Sequence, residues 1–187
     1  MRWIAAEFHD WLTKTADPIK RSRARNDLTS DQAKEYREWL TFRRFAKTSA
    51  LDIDPRTIEN RRAPEPDILC MVSGNEHYFE LGTVVDTAVA KKAGDAARIG
   101  LEIHAGFYSP LEALQRMIVQ KCAKPYSTNG LPVSLLLHYD VNLQVPHPDA
   151  AKAVVSDVVL QQFQASQFNT IWFFDGWSDS VLRFIER

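Results

Sequence analysis

Residues 64–83 read Pro64-Glu65-Pro66-Asp67-Ile68-Leu69-Cys70-Met71-Val72-Ser73-Gly74-Asn75-Glu76-His77-Tyr78-Phe79-Glu80-Leu81-Gly82-Thr83. An apolar run, Ile68 to Val72, is followed by the turn signal Ser73-Gly74-Asn75-Glu76 and by His77-Tyr78-Phe79-Glu80. The pattern predicts strand, tight turn, strand. A hairpin sets the start of one strand beside the end of the next, so Asp67 and Glu80 are expected to meet at one end of the sheet. Two carboxylates held close repel unless a cation lies between them. A hard divalent ion such as Mg²⁺ (or Mn²⁺), which takes oxygen ligands, suits such a pair. The same residues have an ordinary reading: Asp after Pro is common turn chemistry, and a Glu late in a strand is often an edge charge.

Upstream, Thr29-Ser30-Asp31-Gln32 offers a helix start, with Thr29 and Gln32 at capping-box spacing. The helix that follows is expected to run to about Phe45 or Lys47, on a stripe of Ala33, Tyr36, Trp39 and Leu40 with Arg43 on the same face. Residues 50–66 read as loop, marked by Asp54-Pro55, Pro64 and Pro66. Before all this, Trp3-Ile4, Phe8 and Trp11-Leu12 form a helix-like start, followed by the basic segment Lys20-Arg21-Ser22-Arg23-Ala24-Arg25.

Downstream, Thr83-Val84-Val85-Asp86 extends the second strand, and residues 87–110 read as loop or broken helix with a small strand at Phe107-Tyr108. Ser109-Pro110-Leu111-Glu112 opens a helix, with Ser at the cap and Pro in the first turn. That helix is expected to end at Lys124, before Pro125. Val133 to Asp140 is a near-continuous apolar run, the mark of a buried central strand. Ala150 to Ser166 reads as a helix, and Thr170 to Phe174 and Ser180 to Ile185 as two strands joined through Asp175-Gly176. Ile68, Leu69, Leu135, Leu136, Leu137, Ile171 and Phe173 are the expected core.

At this point the residues resemble a known family. Pro66-Asp67, a hairpin and Glu80-Leu81-Gly82 resemble the Pro-Asp…(Asp/Glu)-x-Lys signature, PD-(D/E)XK, of restriction-endonuclease-like nucleases. The resemblance covers roughly residues 30–140, and the order helix, hairpin, helix, buried strand matches that superfamily's core. It implies an α/β fold with a mixed central sheet flanked by helices, extended here by a C-terminal helix and two strands. It implies Mg²⁺ held by Asp67 and Glu80, hydrolysis of nucleic-acid phosphodiesters and DNA as the foremost partner, with a homodimer as a further candidate assembly. The chain departs from the pattern where the superfamily places its Lys: position 82 is Gly. That Lys is known in the superfamily to shift onto the neighbouring helix. Here Leu114, Met117, Ile118 and Cys122 form the stripe of the helix, and at 100° per residue Lys121 falls inside it while Lys124 lies at its edge. Lys121-x-x-Lys124-Pro125-Tyr126 also resembles a Lys-x-x-Lys-Tyr run in uncharacterised members, with Pro125 inserted. The first helix of the fold often supplies a further acid, for which Glu35 is preferred to Glu38. Arg43, Arg61, Arg62 and Lys124 are candidate contacts to nucleic acid. Loss of the Lys leaves an alternative: a nuclease-like fold without catalysis that binds DNA or protein. A third reading, an interaction protein unrelated to nucleases, follows if Asp67 and Glu80 do not converge.

Composition bounds these readings. A chain of 187 residues, 45% hydrophobic and 11% aromatic, suits one domain with a sizeable core. Within it, 1–30 forms a helical and basic extension, 31–140 the core, and 141–187 the C-terminal helix and strands. The formal net charge is −1, but it is unevenly spread. Residues 1–62 hold 14 Lys/Arg against 10 Asp/Glu, a net of +4, and residues 63–187 hold 9 against 14, a net of −5. Basic clusters of this kind contact phosphates or simply face solvent. No stretch is long enough for a membrane span, and Glu7, His9 and Asp10 interrupt any signal-peptide core, so a cytoplasmic location is expected. Cys70 and Cys122 read as reduced core residues. The five His residues lack metal-ligand spacing, and the chain has no nucleophile elbow, phosphate loop or dinucleotide fingerprint.

Overall fold

Ser73 and Gly74 both take positive φ, 49° and 79°, the backbone that a two-residue hairpin turn requires. In this computed structural model, which describes residues 30–84, 110–139, 157–176 and 178–187, that turn joins β2 (Ile68–Val72) to β3 (Asn75–Thr83). The other described elements are helix α1 (Ser30–Thr48), a short 3₁₀ turn (Pro55–Thr57), β1 (Glu59–Asn60), helix α2 (Pro110–Cys122), β4 (Val133–Tyr139), helix α3 (Asp157–Ala165), β5 (Phe168–Asp175) and β6 (Ser180–Glu186). The expected N-terminal extension, the Phe107-Tyr108 strand, the Thr29 and Ser109 caps and the first part of the 150–166 helix lie outside the described residues.

The six strands form one mixed sheet in the order β1-β2-β3-β4-β5-β6. β3, β4 and β5 run parallel, and the other neighbouring pairs are antiparallel. The parallel strands are joined through segments that contain α2 and α3, as parallel pairing demands. β4 is covered on both faces. Leu135 and Leu137 join Tyr78, Ile118, Phe163, Ile171 and Phe173 on the face of α2 and α3. Leu136 joins Trp39, Phe42, Phe45, Ile68, Phe79 and Phe174 on the face of α1. All seven expected core residues are buried.

Three expectations need correction. Residues 50–66 are not all loop. Asp54 caps the 3₁₀ turn by accepting from the Arg56 amide, and Glu59 and Asn60 add an edge strand against Leu69 and Ile68. The buried stripe of α1 is Trp39, Phe42 and Phe45, with Arg43 exposed and Tyr36 and Leu40 only half-buried. Phe42 and Phe45 bring more apolar area than Ala33 or Tyr36, and their rings pack tilted or edge-on against Phe79 at 4.8 and 5.9 Å, so they set the helix rotation. Finally, α2 stops at Cys122, two residues before Lys124.

Candidate functional site

The end of the β2–β3 ladder is where chemistry concentrates. Ile68 pairs with Phe79, so the residue before Ile68 stands opposite the residue after Phe79, which are Asp67 and Glu80. Cross-strand partners in an antiparallel pair share a face. Asp67 is fixed twice. Its carbonyl accepts from the Arg61 amide at 2.7 Å, and its Oδ2 accepts from the Leu81 amide at 2.9 Å. The carboxylate thus takes a strand N–H where the backbone ladder has run out.

Glu80 alternates with Phe79 and Leu81, so it points to the face that α2 covers. It is 2% exposed. A buried carboxylate needs a partner, and Lys121 Nζ donates to its Oε1 at 2.6 Å. Lys124 Nζ stands 3.8 Å from the same oxygen. The Lys121 position expected from helix rotation is therefore met in space. Burial, and then the charge of Asp67 beside it, push the Glu80 carboxyl above its usual range, and Lys121 opposes this only in part.

Gly82 lies on the same face of β3. A Cβ at this position would stand 2.9 Å from Leu137 Cδ2 and 3.2 Å from Met117 Cγ. The space that a side chain at 82 would use is thus filled by α2 and β4. The same helix that occupies it carries Lys121 to Glu80.

Both Glu35 and Glu38 of α1 line this region, and Glu38 is the one tied to Asp67, through Lys34. Glu35 is drawn away to Arg62, whose Nε donates to its Oε1 at 2.6 Å. Glu38 Oε1 pairs with Lys34 Nζ at 3.1 Å, and the same ammonium lies 3.8 Å from Asp67 Oδ1. Burial, followed by the charge of Asp67, pushes the Glu38 carboxyl up to about 7 against the pull of Lys34 and Lys121. The preference for Glu35 came from the misplaced stripe. Glu38 precedes Phe42 by four residues and Phe45 by seven, so it belongs to the true one. Lys34, one turn earlier, has the same signal.

These groups surround a cavity of about 370 Å³. Six carboxylates line it (Asp31, Glu35, Glu38, Glu65, Asp67, Glu80), together with five cations (Lys34, Arg61, Arg62, Lys121, Lys124). Arg61 and Arg62 come from the short loop that the Arg61–Asp67 hydrogen bond closes. Arg43 is not part of this group: it lies over Trp39 at 4.8 Å and lines a separate cavity beside Leu40, Lys47 and Ile58. His77 is bonded to Ser134 at 2.9 Å, and His138 through Nε2 to Thr83 at 3.2 Å, both within the sheet. Cys70 and Cys122 are free and buried.

The donor set of Asp67, Glu80 and Glu38 is all hard oxygen, the type that Mg²⁺ or Mn²⁺ prefers. Among the described residues no three His, Cys, Asp or Glu side chains form a ready cage for a metal. Mg²⁺ is ordinarily held by one or two carboxylates, with water and substrate phosphate completing its shell, so a two-carboxylate site fits it. Among the described residues, no helix is long and apolar enough to cross a membrane. No family model, curated protein or solved structure matches the chain.

Proposed function

We propose that this protein hydrolyses phosphodiester bonds of nucleic acid, DNA foremost, with Mg²⁺ or Mn²⁺ held by Asp67 and Glu80. The observation that carries this reading is the placement of Asp67 opposite Glu80 at a strand end, with Lys121 at 2.6 Å from Glu80. When bound, the cation lowers the pKa of a water and neutralises charge that builds on the phosphate. The chain's own residues do the rest. The Leu81 amide holds Asp67 in one orientation. Lys121, delivered from α2 because Gly82 lets that helix come close, orients the attacking water or stabilises the developing charge. Lys34, Arg61, Arg62 and Lys124 ring the same cavity and hold the phosphates on either side of the scissile one. The run α1, β2–β3 hairpin, α2, β4 supports a restriction-endonuclease-like core, with α3, β5 and β6 added to it.

The test is a cleavage assay on single- and double-stranded DNA and on RNA, with Mg²⁺, Mn²⁺, Ca²⁺ or EDTA. Cleavage in Mg²⁺ or Mn²⁺ that EDTA abolishes is expected. Absence of cleavage under every condition, with DNA or protein binding retained, would leave a binding module on a nuclease-like scaffold.

A further inference from the structure

Tyr126 follows α2 and is 5% exposed, packed on Phe168 with ring centroids 5.5 Å apart. Its backbone is pinned on both sides by Gln167: the amide donates to Gln167 Oε1 at 2.7 Å, and the carbonyl accepts from Gln167 Nε2 at 3.0 Å. Lys124 covers the ring face at 4.9 Å. The hydroxyl, however, is sealed from solvent and has no hydrogen-bond partner. Burial pushes the phenol above its ordinary range, followed by the charge of Glu80 and the approach of that carboxylate to the hydroxyl, with a smaller effect from Asp67. The Lys124 ammonium that covers the ring also stands 3.8 Å from Glu80 Oε1, so the ring and the carboxylate share one neighbour. A buried hydroxyl without a partner is costly, and one on a ring that shares a neighbour with a buried carboxylate calls for an explanation.

We propose that Tyr126 is a positioning residue whose hydroxyl donates to the Glu80 carboxylate when a divalent cation is bound. This rests on the nuclease reading above. In the arrangement described here Lys121 occupies Glu80 Oε1. Were a cation held by Asp67 and Glu80, it would supply the positive charge beside Glu80, and Lys121 would be available to substrate. Glu80 then needs a neutral donor that fixes its orientation without competing in charge. Carboxylates that bind metals are generally hydrogen-bonded by such outer partners, and losing one costs roughly 10–100-fold in metal affinity or activity. Tyr126, whose buried hydroxyl has no other hydrogen-bond partner, supplies this bond.

The experiment is calorimetric titration of Mg²⁺ and Mn²⁺ into the parent, Tyr126→Phe and Asp67→Asn proteins, with urea unfolding of each in EDTA. Tyr126→Phe is expected to weaken metal binding roughly 10–100-fold and to leave metal-free stability unchanged or higher, because it removes an unsatisfied group. Unchanged metal affinity in Tyr126→Phe overturns the inference, as does a loss of stability in EDTA, which marks a merely structural hydroxyl. If the parent binds metal, Asp67→Asn does not, and Tyr126→Phe matches the parent, only the Tyr126 inference falls. If the parent binds no metal, the nuclease reading falls with it.

Discussion

Helices α1 and α2 pack on opposite faces of the sheet and are built as reversed copies of one scheme. In α1 the side that carries the core stripe is charged first, with exposed Lys34 and half-buried Glu38, and aromatic and buried afterwards, with Trp39, Phe42 and Phe45. In α2 it is apolar first, with Ala113, Leu114 and Ile118, and cationic at its end, with Lys121. The charged halves arrive at the same sheet edge, where Asp67 and Glu80 stand. Lys121 in the last turn of α2 is also favoured by the helix dipole. Each helix thus divides along its length between holding the fold and furnishing the cavity. A stripe that changes from apolar to charged marks where a helix leaves the core.

If the division is real, substitutions in the two halves should fail in different assays. The largest effect on stability is expected from Phe42→Ala, about 3–5 kcal/mol by chemical denaturation, the usual cost of emptying a core aromatic site. Lys34→Ala, on the same helix and exposed, should cost no more than about 0.5 kcal/mol. Equal losses would dissolve the distinction. In α2, Lys121→Ala is expected to lower the cleavage rate on the order of 10²–10³-fold, the scale for one positioned charge stabiliser. Lys124→Ala, at 3.8 Å from Glu80 and beyond the helix end, should give a small, salt-dependent effect on binding. The reverse ranking, read from initial rates, would assign the role to Lys124. Gly82→Ala sharpens the comparison further. Its Cβ meets Leu137 and Met117, so it should cost about 1–3 kcal/mol by overpacking and, by pushing α2 outward, slow cleavage as well. Normal stability and rate in Gly82→Ala would show that the close approach of α2 is not needed.

The smallest effect is electrostatic. The Glu38 carboxyl is raised from 4.5 to about 7. A raised folded pKa gives stability that is complete below the unfolded value of 4.5 and is lost as pH rises through about 7. Lys34, Asp67 and Lys121 are the charges that act on it. His77, lowered from 6.5 to about 4 by burial, works the other way and loses stability as pH falls through that range. Glu80 is raised as well and acts in the same sense as Glu38, so the parent's own pH profile mixes all three. The difference between the parent and Glu38→Gln isolates Glu38: in EDTA, the variant should gain on the parent by on the order of 1–2 kcal/mol between pH 5 and 8. A flat difference would mean that Glu38 does not titrate in this window.

What was legible in the sequence followed how strongly local pattern constrains structure. The hairpin could be read because Ser73-Gly74 supplies the turn and apolar runs flank it. The Asp67–Glu80 juxtaposition then follows from strand geometry alone. β4 could be read because three consecutive Leu residues need cover on two faces. Lys121 was found because α2 has one unambiguous stripe. α1 misled because aromatic residues lie on more than one side of it, and only packing against Phe79 chooses Phe42 and Phe45 over Tyr36. With that rotation wrong, Glu35 was preferred to Glu38, and Lys34 passed unnoticed. β1 is two residues long and owes its existence to a neighbour strand, so it has no pattern of its own. Burial of the Tyr126 hydroxyl gave no signal in the sequence, since it depends on how the chain turns after α2.

The central claim is that Asp67 and Glu80 are a metal-binding pair that drives phosphodiester cleavage. Its most direct test is Mg²⁺-dependent cleavage of DNA by the parent beside Asp67→Asn and Glu80→Gln, with circular dichroism to confirm that all three are folded. The expected result is EDTA-sensitive cleavage by the parent and none above background in either folded variant. Folded variants that cut as fast as the parent would contradict the claim and place any activity elsewhere in the molecule.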